Sequence, residues 1–492
     1  MPQSTKESHL RVDLSFQSAR DPVQNSDDDF FPIAILGDFS GRTTRSGNTS
    51  LAPGIPVRIN CDNFETVFRR LDVALRLTPA ESEREDAPLQ FGRLEDFHPD
   101  QLIPRIAPLS ELFDLRGKLL DPTLAEAAVT EAYAVLRPSP PVTGKTPLPA
   151  IPAETTEELL TRLLGKSDAP KPGGTPAAST VEHLIKQIAT ANIVPGATIE
   201  QSDLVQQIEN TVSRRLRELL HDPGFQALEA AWRGIDFLIR EIGDQIGLYL
   251  IDISKAELAA QISAGDLTKT VIFKQLEQIG PAIVLGMFTV GPDDQPLLEA
   301  LGSLMVTLHT SFVTGASPQM VGCRSFGSQP DPDDWAPVLR EFEALRRLPQ
   351  SSHIGLLTPR FLLRQPYGPS TDPIEAFEFQ EVLAHSEHES YLWGNPSILC
   401  GYLLADAFAA ESWDFDTRGG GQVFGLPVHT LTVGGETEAK PCAEAWLSER
   451  AADVILNHGI IPVTSVRGRD AVEIKALQSF ALPPGPLILR DA

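Results

Sequence analysis

The chain reads as an α/β (α+β) protein of two layered domains joined by a Pro-rich linker. Short apolar runs of strand length alternate with amphipathic stretches of helix length, the pattern of sheets covered by helices. At 492 residues the chain exceeds what one ordinary core serves. Between Arg137 and Pro176 the composition shifts to RPSPPVTGKTPLPAIPAE and SDAPKPGGTP, too rich in Pro and Gly to hold a core.

Residues 1–29 are polar, end in the acidic run Asp27-Asp28-Asp29, and are expected to be a disordered N-terminal segment. A first domain is expected over 30–136. It opens with FPIAILGDFSGR, a buried strand stopped at a Gly-containing turn. DNFETVFRRLDVALRL places Phe64, Val67, Phe68, Leu71 and Leu75 at helical spacing, with Asp62 as N-cap. A short strand is expected at 89–91, and HPD then turns the chain into helical pieces, with Asp100 placed to cap the helix after the turn. The linker spans 137–179 and contains TTEELLTRLLGK, a short amphipathic helix.

A second domain is expected over 180–478, with a tail at 479–492. Helices dominate its start. Asp203 opens a long helix whose apolar face carries Leu204, Ile208, Val212, Leu216 and Leu219. GLYLIDISKAEL, AIVLGMFTV, SFVTGASP, IGLLTPRFLL and IIPVTSV then read as strands or strand exits, alternating with helical stretches such as LLEALGSLMVTLHT.

Composition narrows the function classes. With 42% hydrophobic and 22% charged residues the chain is of the globular kind. No run approaches the ~20 apolar residues of a membrane span, and no secretory signal opens the chain, so cytoplasm without membrane insertion is expected. The net charge of −25 disfavours nucleic acid as a partner. It also repels copies of the chain, so self-assembly needs apolar or strand-pairing contacts, or a basic partner. Cys61, Cys323, Cys400 and Cys442 form no CxxC pair and are expected to be reduced, buried thiols.

No catalytic, cofactor or metal site is expected. His385 and His388 stand i,i+3 in AHSEHES beside Glu387 and Glu389, without a third ligand at fixed spacing. Gly419-Gly420-Gly421 lacks the Lys-Ser/Thr of a phosphate loop and is read as a flexible loop. Ser317 fails the GxSxG pattern because Pro318 and Gln319 follow it. Asp38 in GDFSG is read as a turn residue. Arg360, Arg364 and Tyr367 suit either an interface or a buried ion pair.

Several segments carry a resemblance. FPIAILGDFSGR at 31–42, DNFETV at 62–67 and LQFGRLEDFHPDQL at 89–102 resemble the small subunit (TssB or VipA) of the type VI secretion contractile sheath. HDPGFQALEAAWRGIDFLI, SFVTGASPQMVG, IGLLTPRFLLRQPYG, HESYLWGN, GGGQVFGLPVH and HGIIPVTSVRGRD resemble, in order, its large subunit (TssC or VipB).

The resemblance implies a non-enzymatic building block whose partners are sheath subunits (copies of itself or cognate chains), the inner tube protein, a ClpV-type motor ATPase and the baseplate. Protomers of that family exchange strands and shorten together to drive the tube outward. It further implies that the helix carrying Leu184, Ile185, Ile188 and Ile193 is the candidate grip for the motor. The family's subunits are usually separate chains, and its large subunit continues beyond the position of KALQSFALPPGPLILRDA. An adaptor or cap that regulates assembly is therefore the alternative expectation.

Overall fold

The computed structural model describes residues 30–44, 54–76, 88–136, 199–243, 245–263, 265–383, 388–433 and 436–490. The expected N-terminal segment, the linker with its short helix, and Leu184, Ile185, Ile188 and Ile193 lie outside those residues. Packing divides the chain into two units: one takes residues 1–94, 221–366 and 382–492, the other 95–220 and 367–381. Each unit thus combines residues from both sides of the Pro-rich linker.

In the first unit, β1 (Phe31–Gly37), β2 (Val57–Ile59), α1 (Phe64–Arg70), β3 (Ala74–Leu75) and β4 (Leu89–Gln90) precede the linker. The second unit begins with α2 (Pro99–Leu102), α3 (Ala107–Leu120) and α4 (Ala125–Val135), and adds α5 (Ile199–Leu220) from beyond the linker. The chain then returns to the first unit with α6 (Pro223–Glu241), β5 (Ile246–Asp252), α7 (Lys255–Ile262), α8 (Val271–Ile279) and β6 (Ile283–Val290). Next come α9 (Gln295–Leu308), β7 (Phe312–Ala316), α10 (Arg340–Arg346), β8 (Ile354–Thr358), β9 (Phe361–Leu362), β10 (Trp393–Gly394) and α11 (Ser397–Glu411). The last elements are β11 (Gly419–Val423), β12 (Thr430–Val433), β13 (Glu436–Ala439), α12 (Glu449–Asn457), β14 (Ile461–Pro462), β15 (Thr464–Ser465) and β16 (Val472–Ala476).

A seven-stranded sheet in the order β14-β8-β7-β6-β1-β5-β2 organises the first unit. All neighbours run parallel except β2, which lies antiparallel at the edge. All seven residues of β1 are buried, because strands lie on both sides and helices cover both faces. Helices α7, α8 and α9 bring Leu258, Ile272, Leu276 and Leu301 onto Ala34 and Leu36 in one core. On α11, a Cβ at Gly401 would stand 2.5 Å from the Leu285 side chain, so the glycine lets that helix lie close on the sheet. Residues 479–490, set apart from sequence as a tail, pack into this unit: Phe480 and Leu487 are buried and Phe480 N–H donates to Ile354 C=O.

In the second unit α3, α4 and α5 pack as helices, and Leu204, Ile208, Val212, Leu216 and Leu219 are all buried as their spacing predicts. His98, not Asp100, caps α2, accepting from Asp100 N–H. The Asp100 carboxylate instead accepts the N–H groups of Glu375 and Ala376 at 2.9 and 3.1 Å and ties the 367–381 segment to the helices.

Three local expectations differ. The helix predicted over 62–77 ends at Arg70, because Asp72 adopts φ 51° and the chain reverses so that Ala74–Leu75 pairs with Leu89–Gln90. Its N-cap is Asn63, without a side-chain cap bond, in place of Asp62. Gly419–Gly421 is strand and not loop. A Cβ at Gly420 would meet Ile474 O at 1.9 Å, so only glycine lets β11 lie this close to β16.

Candidate functional site

The loop after β1 is where the two halves of the chain are fastened. Gly37 stands opposite Asp252 at the end of β5, which places the Asp252 carboxylate under the turn. Its Oδ1 accepts the N–H groups of Phe39 and Ser40 at 2.9 and 3.0 Å, and its Oδ2 accepts the Ser40 hydroxyl at 2.7 Å. The Phe39 carbonyl accepts Trp232 Nε1–H from α6 at 2.8 Å. Four polar groups of one loop thus find buried partners about 200 residues away in sequence.

Charge reinforces the fastening. Arg42 forks onto Glu257 at 2.7 and 2.8 Å and lies 3.6 Å from Asp252. Glu257 is itself held in place, since it forms a capping box with Ser254 at the start of α7. The bond to Glu257 raises the Arg42 pKa. Burial pushes Glu257 up, but Arg42 and Ser254 outweigh it and leave the carboxyl below its ordinary value. Asp252 is only 5% exposed, and its burial raises it despite the Ser40 bonds. Asp38 is the turn residue expected of it: its carboxylate accepts Arg42 N–H and both the N–H and hydroxyl of Thr43. Gly41 closes the turn at φ 77°, with Ala74 O only 2.1 Å from where a Cβ would be.

A second polar set holds the β8–β9 region. Glu229 on α6 is fully buried and accepts Arg233 Nε at 2.7 Å and Arg364 Nε at 2.8 Å. Burial raises its carboxyl, yet the two guanidinium groups together bring it below the ordinary range. Arg360 forks onto Glu444 at 2.6 and 3.0 Å and onto Glu389 at 2.8 and 3.0 Å. His388 Nε2 lies 3.0 Å from Glu444 while its ring stacks on Trp393. Burial raises Glu444, but hydrogen bonds from His388 and Arg360 prevail and take it to about 2.

Of the sequence candidates, Arg360 and Arg364 are therefore ion-paired, and Tyr367 is a buried residue of the second unit. His385 lies outside the described residues. His388, Glu389 and Glu444 bring ligand atoms within 4.8 Å of one another, but the Arg360 cation spans both carboxylates where a metal would sit. Ser317 follows β7 and its N–H donates to Val290 C=O. Cys323, Cys400 and Cys442 are buried as expected, and burial raises their thiols to about 11, 12 and 11. Cys61 is exposed because it follows β2 at the sheet edge.

The C-terminal ends of parallel strands are where α/β folds place ligand crevices. Here Lys255 crosses that edge and bonds both Thr289 C=O and Asp294. Asp252, Glu257, Glu229 and Glu444 escaped sequence reasoning. Each is a lone carboxylate in an ordinary helix, strand or loop context, and only the fold brings its partner near.

Fold and site together define a structural protein whose buried polar groups bind one segment of the chain to another. Residues 202–481 match the VipB tail sheath N-terminal domain family, and residues 4–130 match the VipA family of the type VI secretion system. The type VI secretion system sheath protein TssC1 of Pseudomonas aeruginosa is 28% identical over 361 residues, covering 67% of this chain and 72% of that protein. The chain belongs to the type VI secretion tail sheath family and is a structural sheath component, with small-subunit and large-subunit segments fused. No helix among the described residues is long and apolar enough to cross a membrane.

Proposed function

We propose that the chain is a self-paired sheath protomer, a small and a large subunit fixed at one to one, that assembles in the cytoplasm with further sheath subunits around the inner tube protein. The observation that supports this most directly is the position of β1, from the small-subunit segment, between β5 and β6 of the large-subunit segment. A chain whose own strands complete its sheet has its edge strands left for neighbours. An incoming strand beside β2 would satisfy a row of backbone groups and join protomers of like charge without opposite charges.

The function is mechanical and not enzymatic in this reading. Work is stored in assembly geometry, and the polar clusters join segments in place of lining a reaction site. The baseplate is the proposed site of nucleation. The segment with Leu184, Ile185, Ile188 and Ile193 is the proposed grip for a ClpV-type motor, and Leu184→Asp with Ile188→Asp is expected to end its capture by that motor.

Electron microscopy of the purified chain, alone and with the cognate sheath subunits, tests the proposal. Incorporation along the length of sheaths or tubes is expected. Persistent monomers in both samples would refute it, and density confined to sheath ends would transfer the function to a cap.

A further inference from the structure

We propose that Phe30, Gly247 and Arg58 form a key that sets the pairing register of β1 in its slot. The FPIAILG strand is buried at every position, so its own pattern discriminates poorly between registers two residues apart, which keep each side chain on the same face. The register needs markers at its ends. At the C-terminal end the marker is Asp252 under the Phe39–Ser40 turn.

At the N-terminal end the Phe30 ring lies on Gly247, the residue of β5 that stands opposite Pro32. A Cβ on Gly247 would be 2.1 Å from Phe30 Cζ and within about 3 Å of two more ring atoms. Gly247 is not in the left-handed region, so the ring and not the backbone is what requires glycine there. From the edge strand β2, the Arg58 guanidinium lies over the ring, 5.3 Å from its centroid. A slip of two residues, about 6.6 Å at the usual strand rise, would bring Phe30 to Tyr249 or Gln245, where a side chain fills the place. Only one register offers the ring a vacant Cβ position.

Pairing of β1 with β5 within one chain is the same whether or not the chain polymerises, so the test has no polymer readout. Unfolding rates of the intact chain in urea, followed by tryptophan fluorescence, are measured for wild type, Phe30→Ala, Gly247→Ala and the double variant. Gly247→Ala is expected to speed unfolding at least tenfold with Phe30 present and less than twofold with Phe30→Ala, because the smaller residue vacates the space the new methyl needs. Equal factors in the two backgrounds would overturn the proposal. If Gly247→Ala alone does not fold, a folded double variant supports the key, and an unfolded double variant refutes it.

Discussion

Replacing Asp252 by alanine tests the fastening between the two segments directly. The carboxylate accepts two backbone N–H groups and one hydroxyl, all buried, and lies beside Arg42. Hydrogen bonds to charged groups contribute about 1.5–3 kcal/mol each, but three bonds on one carboxylate do not add fully. Part of the loss is offset, because burying this carboxylate is itself unfavourable, as its raised pKa records. A net destabilisation of about 3 kcal/mol is expected, roughly 100-fold in the unfolding equilibrium.

Asp252→Asn separates acceptor geometry from charge. Its amide carbonyl can still accept from Phe39 and Ser40, and only the attraction to Arg42 and one acceptor are lost, so about 1 kcal/mol is expected. Urea unfolding gives the energies, and hydrogen–deuterium exchange of the peptide spanning 36–42 locates them. If alanine shifts stability by less than 0.5 kcal/mol on the scale of that ~3 kcal/mol expectation, or leaves the exchange of that peptide unchanged, the fastening does not exist as described.

Arg364→Met leaves the fully buried Glu229 with Arg233 alone, and about 3–5 kcal/mol of destabilisation is expected, most of it recovered in the double variant with Glu229→Gln as read by thermal melting. Acid acts through Glu444, whose folded pKa of about 2 lies below its ordinary 4.5. Its contribution of up to about 3 kcal/mol is present above pH 4.5 and lost as the pH falls through the window down to about 2, so wild type should converge on Glu444→Gln there in urea midpoints. Asp252, raised by burial, titrates in the opposite sense, which makes the variant comparison and not the raw profile the measurement. Cutting an engineered protease site in the Pro-rich linker is expected to leave the two fragments co-eluting on gel filtration, because both compact units contain residues from each side of the cut.

How much of the molecule is legible in its sequence depends on the range of the forces involved. Local patterns were legible: FPIAILG is a strand and the 204–219 face is buried. The failures are places where a tertiary neighbour overrides a local preference. Phe64 to Leu75 keeps helical spacing, yet Asp72 turns the chain because Leu75 is needed opposite Leu89. The triple glycine reads as flexible until Ile474 and Leu403 press on it and make it a strand. Asp252, Glu229 and Glu444 were not recognisable at all, because the cause of their placement lies in residues far along the chain. Pro and Gly mark a connector by composition, but which packed parts belong together is set by long-range contacts that composition does not carry.

The position of β1 also bears on how such a chain reaches its fold. Phe31 pairs with Ile246 and Ile33 with Ile283, so the central strand makes only long-range contacts, the slowest kind to form. Until it is seated, β5 and β6 present two facing edges to any apolar strand, including that of another copy. A covalent connection answers this hazard kinetically. A tethered strand is available at an effective concentration of order millimolar, so it outcompetes strands of separate chains present at micromolar levels by roughly a thousandfold. Fusion then protects the slot during folding, and the buried carboxylate at one end of β1 with the glycine pocket at the other keeps the strand in place once it has arrived.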